Sequence, residues 1–455
     1  MTMADISTLD QPIGGLMEGV TDALNADAVQ SLASGAPEWL QNRRLDAWAT
    51  YERTPMPSTR LEEWRYTDLS RLLELDSLEP LPWSKRTFDR ASAPASLDAA
   101  LEADREASGR VVELDGSVAH VELDADLAEK GVRLLSLRDA VEEIPEVLER
   151  RLATEALPAT DGKFQALNAA LWQDGIVLVV PRGVRMEDPI RVTRHVSRTG
   201  QAIFSRVLIV AEPGSQVSFV DEIVSEDLEE QTLFSSAVEI FAEDAAQVQY
   251  VSLQRMGRGA FHLAQQRTIA GKDSTLDTLN VTMGASISRL DLNARLMGPG
   301  ANSDMLGLCF GDGDQHFDHN TSQDHDAPHT HSDLLYKGAL DDRARSVFRG
   351  IIRVAKGSQQ TDAYQTNRNL LLSEHARADS LPNLEIEADD VRCSHGATVG
   401  QLDQDHLFYL MSRGLSRPQA ERLVVIGFLG EVLQRLPLGG VVEKVSRGIE
   451  EKLNG

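Results

Sequence analysis

Residues 316–331 read HFDHNTSQDHDAPHTH and hold five of the chain's 11 histidines, interleaved with Asp318, Asp324 and Asp326. Imidazole and carboxylate are the donors that zinc and iron favour, so the stretch invites a metal-site reading. A sparser pair stands further on, Cys393 and His395 in VRCSHGATVG. On an extended strand residues i and i+2 project to one side about 6.6 Å apart. A thiolate and an imidazole placed so could form half of a metal site that a partner chain completes. Each motif also has a plainer reading. Histidines at successive positions of stacked strands can hydrogen-bond between layers without metal, and Cys393 can be a small buried hydrophobe with His395 a turn residue. For the histidine stretch we take the structural reading, with His329 and His331 alternating as strand residues after an Asp-Ala-Pro turn. Its rival is a stand-alone metal-binding protein that would lose tight metal uptake on changing His325 and His329.

Other chemistry finds little support. AGKDST suggests a phosphate-binding loop, but Gln266 stands where such a loop needs glycine and Asp273 where it needs Ser or Thr. No G-x-S-x-G elbow, H-E-x-x-H helix or C-x-x-C pair occurs, so we expect no ATP site and no catalysis by this chain alone. Two cysteines, Cys309 and Cys393, cannot supply the four thiolates of an ordinary iron–sulfur site, and their scarcity suggests a reducing cytoplasm. The formal charge of −26 argues against nucleic acid as partner. Only eight of the 45 basic residues are lysine, and the acidity reflects either a salt-rich cytoplasm or genome composition. No apolar run approaches the ~18–20 residues of a membrane span. MTMADISTLDQPIGG lacks the basic region and apolar core of a secretory signal.

The elements that would carry these residues repeat. VLIVAEPGSQVSFV (207–220), VEIFAEDAAQVQYV (238–251), QRTIAGKDSTLDTL (266–279) and NARLMGPGANSDML (293–306) align, each a strand, a tight turn and a second strand. A period near 30 residues with β-branched alternation predicts a strand solenoid; a hairpin sandwich is the rival, but does not explain the spacing. We expect a mostly helical region with a few strands over 1–157, the solenoid over 158–400 and a helical region over 401–455. In the last, Asp403 caps a helix with Leu407, Leu410 and Met411 on one face, Gly414 ends it, and Ser416 with Gln419 forms a capping box. The stripe that follows includes Leu423, Ile426, Leu429, Leu433 and Leu436.

Read together, EEWRYTDL (62–69), FQALNAALWQDGIVLVVPRGV (164–184), DAPHTHSDLLYKGALDDRARSVFRGIIRV (326–354), TDAYQTNRNLLLS (361–373) and NLEIEADDVRCSHGATVGQLDQDHLFYLMSRGL (383–415) resemble the SufB/SufD family of iron–sulfur cluster assembly scaffold proteins. The resemblance runs from about residue 60 to the end. It implies a mainly β fold, a right-handed parallel β-helix between N- and C-terminal helical regions. It implies a non-catalytic scaffold that pairs with a paralogue and binds the ABC-type ATPase SufC through its C-terminal helices, with Leu423, Ile426, Leu429 and Leu433 as candidate contacts. Sulfur would reach the complex from a cysteine desulfurase system.

Cys393 and His395 match positions that the family places at the SufB–SufD interface, where iron or a transient cluster is handled. His395 is the candidate metal ligand, completed by partner-chain ligands. SufB-type chains carry an acid–His–acid element there and a separate upstream cysteine; C-S-H-G and the cysteine-free TDAYQTNRNLLLS favour the SufD branch, with SufB as partner. A flavin, associated with some such assemblies, is left open, as is a homodimer of the isolated chain. The alternatives are a SufB-like homodimeric scaffold and a β-solenoid enzyme acting on polysaccharides. The second is disfavoured by the 5% aromatic content, which offers few sugar-stacking platforms.

Overall fold

The computed structural model describes residues 24–102 and 106–454; the N-terminal stretch read above for a secretory signal lies outside them. Of the described residues, 40% are strand and 27% helix, built around a β-solenoid of about eight turns flanked by helices. Two sheets of parallel strands face each other. One runs from Asp174–Val180 through Gln201–Ala211, Thr232–Ala242, Ala260–Ala270, Ile287–Leu296, His316–His325 and Arg345–Val354 to Arg377–Ile386. The other runs from Ile190–His195 through Gln216–Val224, Gln247–Arg255, Thr275–Thr282, Asn302–Gly311, His331–Leu340 and Asp362–Leu371 to Arg392–Gln401. Successive strands alternate between the sheets, so each coil contributes one rung to each.

A column of left-handed corners keeps the coils in step. Gly214, Ala245, Asp273, Gly300, His329 and Gln360 all have positive φ. The N–H of each donates to a carbonyl of the next coil: Gly214 to Asp244, Ala245 to Lys272, Asp273 to Pro299, Gly300 to Pro328, His329 to Gln359 and Gln360 to Asp390. A left-handed residue at one fixed place turns the chain sharply enough to start the return strand. His329 is therefore a corner residue, correcting the expectation of a strand position; its strand begins at His331.

The repeat alignment holds with one slip. Val207 pairs with Val238 and Val238 with Gln266, as expected, but Gln266 pairs with Leu292 and not Asn293. The register recovers across the corner, where Thr275 pairs with Asn302. The corner after Leu296 is one residue longer than the one after Ala270, and Gly298 absorbs the excess: a Cβ there would lie 2.0 Å from the Lys272 nitrogen.

The interior changes along the axis. Early coils are filled by Ile176, Leu178, Val207, Ile209, Phe219, Val238 and Ile240. Later coils place Thr278, Asn280, His319, Gln323 and Gln365 at inward positions, all buried. The N-terminal helices, among them Glu38–Arg53 and Lys163–Leu171, buried from Phe164 onward, pack on the outer face of the first sheet through Leu40, Trp48, Leu167 and Trp172 against Phe204, Leu208 and Phe241. The C-terminal helices Arg417–Arg435 and Val441–Asn454 cover the outer face of the second sheet. Among the described residues no helix is long and apolar enough to cross a membrane.

Candidate functional site

Arg392–Gln401 is the last rung of its sheet and Arg377–Ile386 the last of the other, so among the described residues the solenoid ends on two unpaired edges. Cys393 pairs with Ala363 and His395 with Gln365, both of which are buried inside the preceding coil. The pair therefore points along the solenoid interior, on one side of the strand as the spacing requires. No coil follows to close that side. His395 is exposed and makes no hydrogen bond or ion pair among the described residues. The strand places an imidazole at the mouth of a polar interior with both ring nitrogens free for an incoming ligand.

Cys393 is more enclosed. It packs against Ile352, Val354, Ala363 and Ala388. Burial pushes its thiol up, the Asp362 carboxylate pushes the same way, and the Ala363 N–H opposes them. Thiolates are favoured by cationic, solvated surroundings, so this thiol stays protonated until a cation displaces the proton. Of the expected pair, His395 is the one ready to ligate. Among the described residues no group of three or more His, Cys, Asp or Glu side chains could hold a metal ion, so further ligands would have to come from elsewhere.

The histidine stretch is occupied by its own neighbours. His316 Nε2 lies 2.8 Å from Thr67 Oγ1 and His319 Nε2 3.1 Å from Thr282 Oγ1. His325 meets Thr330 Oγ1 at 2.7 Å through Nδ1 and Ser332 Oγ at 2.8 Å through Nε2. Burial lowers all three, His319 and His325 to about 4, which keeps the rings neutral. Because alternate strand residues face opposite ways, His319 and His325 line the interior while His316 faces the N-terminal segment, so the five do not converge.

The C-terminal helices carry the predicted caps. Asp403 accepts from the N–H groups of Asp405 and His406, and the Ser416 N–H donates to Gln419 Oε1 at 2.9 Å. The expected partner stripe needs correcting. Leu429 and Leu433 are buried and Ile426 half-buried in one cluster with Leu279, Val281, Leu306 and Leu308 of the second sheet, because a helix on a sheet must turn its apolar face inward. They serve this chain's own core. Leu423 is 50% exposed, and with it stand Phe408 at 73%, Tyr409 at 56% and Met411. Among the described residues, seven of the 13 exposed large hydrophobics fall between Tyr364 and Leu423, including Ile386 and Val399 on the terminal strands. Sequence reasoning missed Phe408, Tyr409, Tyr364 and Val399, since a helix or strand rich in apolar residues does not announce which of them the fold leaves uncovered.

The chain is a parallel β-helix with helical flanks, and two family profiles together span most of it. The profile described as SUF system FeS cluster assembly, SufBD core domain, matches residues 193–428, and that of the SufBD protein N-terminal region matches residues 22–192. The chain belongs to the SufB/SufD family of iron–sulfur cluster assembly proteins. Within it, similarity runs to the iron–sulfur cluster assembly protein SufD of Bacillus subtilis, 32% identical over 92% of this chain and 94% of that protein. SufBD family proteins of Staphylococcus saprophyticus and Staphylococcus haemolyticus are each 28% identical over 92% of this chain and 90% of theirs.

Proposed function

We propose that the chain is the SufD-type scaffold subunit of a cytoplasmic iron–sulfur cluster assembly complex. Its open solenoid end docks on the corresponding end of a SufB-type partner, and its C-terminal helices engage the ATPase SufC. The observation that carries this reading is the coincidence of His395 with the unpaired terminal edge. A free strand edge offers a row of backbone donors and acceptors to a second chain, and His395 sits where that chain's ligands would arrive. Iron and the nascent cluster are cargo here, held between subunits through His395, with Cys393 joining once a cation has displaced its proton. The exposed Phe408, Tyr409, Met411 and Leu423 support an ATPase-facing surface, since clustered aromatic and methionine side chains favour burial against a partner. Coexpression with SufB and SufC candidates without oxygen, followed by native mass spectrometry, tests this: one copy of this chain, one SufB and two SufC are expected. His395→Ala should leave that mass unchanged and abolish cluster formation. A chain that stays alone, or a variant that assembles clusters normally, would sink the assignment.

A further inference from the structure

Arg44 lies midway along the helix Glu38–Arg53 and is 2% exposed, yet no carboxylate pairs with it among the described residues. Its Nη1 donates to the Ala170 carbonyl at 2.8 Å, near the end of the helix Lys163–Leu171, and its guanidinium carbon lies 3.8 Å from the Trp172 ring centroid. Nε is buried with no partner, and Nη2 makes no hydrogen bond either. Burial pulls this guanidinium down to about 9, with Arg138 and then Arg206 adding like-charge repulsion. A helix carbonyl and a ring face offset part of the desolvation of a buried cation, but they supply no counter-charge. A neutral amide could make the same bond to Ala170, so the fold alone does not call for the charge.

The same arginine lines a cleft of about 490 Å³ between the helices Ala26–Ala33, Glu38–Arg53 and Leu137–Glu143. Leu32, Ala36, Leu40, Val141 and Trp172 give it apolar walls. Arg138 adds a second guanidinium, tied to the Gln173 carbonyl at 2.8 Å and set over Trp83. Among the described residues Glu142 is the only acidic side chain on the lining; it is exposed and pairs with neither arginine. Apolar walls with convergent cations at one end are the usual make-up of a small-molecule site for an amphipathic anion. The Nε–Nη2 edge, which grips carboxylates bidentately, is the edge of Arg44 left without acceptors.

We propose that this cleft binds a small monocarboxylate with an apolar body, its head on Arg44 beside Arg138 and its chain or ring against Leu32, Leu40 and Val141. The site belongs to the N-terminal helices and is independent of the cargo site at His395. Calorimetric titration of the full chain with decanoate and with 2-naphthoate, and with decanol as the uncharged control, tests it. Saturable one-to-one binding of either carboxylate, at least tenfold tighter than decanol and raising the thermal midpoint, is expected. Arg44→Gln should weaken that binding at least tenfold and abolish the ligand-induced rise, while the ligand-free midpoint stays level or increases because a buried unpaired charge is gone. A purely structural Arg44 would instead lower the ligand-free midpoint. Should that variant fail to fold, Leu32→Trp, which fills the cleft and keeps the charge, should also lose binding. Decanol binding as tightly as decanoate, no saturable binding by either carboxylate, or unchanged affinity in the variants would overturn the proposal.

Discussion

At the scale of single residues, the histidines separate by which side of a strand they occupy. His319 faces the interior in a T-shaped contact with Tyr336, their ring centroids 5.7 Å apart, and burial pulls it down to about 4. An unfolded histidine titrates near 6.5, so below that pH the unfolded chain takes up a proton that the folded chain refuses. The stability contributed by neutral His319 is complete above pH 6.5 and is lost as pH falls toward 4. At about 1.4 kcal/mol per pH unit, it amounts to about 2 kcal/mol between pH 6.5 and 5. Glu113 has the opposite sign: burial pushes it up to about 7, so its contribution is full below its usual 4.5 and is lost as pH rises through 7. A wild-type curve mixes such terms, whereas comparison with His319→Gln isolates one. Urea unfolding at pH 7 and pH 5 should show the stability gap between the two proteins narrowing by about 2 kcal/mol on acidification. A gap that does not move would mean the ring carries charge in the fold, and the metal reading of this stretch would return.

At the scale of elements, the C-terminal helical region divides into a face of Arg417–Arg435 that holds the fold and an exposed surface on the separate helix Gln404–Ser412 that does not. Leu429 is wholly buried against the second sheet, and Lys337 fastens the same helix by donating to the Phe428 carbonyl at 2.8 Å while pairing with Glu431. Leu429→Ala should therefore cost about 2–5 kcal/mol of stability, read by denaturant unfolding. Phe408→Ala, at a 73% exposed position, should leave the unfolding curve in place and, if the proposed ATPase-facing surface is right, weaken capture of that subunit. If Leu429→Ala unfolded like wild type while capture fell, the faces would be assigned the wrong way round. Sequence periodicity found this helix, its caps and the solenoid repeat, because hydrogen-bonding ends and alternation are local properties. It could not say which apolar face meets the sheet, nor that the corner at Gly298 takes an extra residue, because both are settled by the neighbouring coil. It found the spacing of Cys393 and His395 but not the open end that makes one exposed and the other enclosed.

At the scale of the molecule, a solenoid has two ends to manage, and this one treats them differently. At the start, the antiparallel strand Arg133–Ser136 ends one sheet, while Gly109–Leu114, parallel to Ile190–His195, carries the antiparallel Ser117–Leu123 that ends the other. At the far end no strand among the described residues pairs with the last two. Arg392 N–H donates back to Thr361, so by strand alternation the backbone groups of Cys393, His395, Ala397 and Val399 point outward along the free edge. Exposed parallel edges invite pairing with another chain, and uncovered apolar side chains at Tyr364, Ile386 and Val399 add to that tendency. If the edge is the docking surface, removing one outward donor should weaken docking without touching the fold. Ala397→Pro does this, since proline is tolerated on an edge strand whose N–H faces away from its neighbour. Its thermal midpoint should stay within a few degrees of wild type, while assembly with a SufB-type partner, measured by native mass spectrometry across a dilution series, falls at least tenfold. Full assembly by this variant would place the partner elsewhere, and the bare edge would then need another occupant, such as a second copy of this chain.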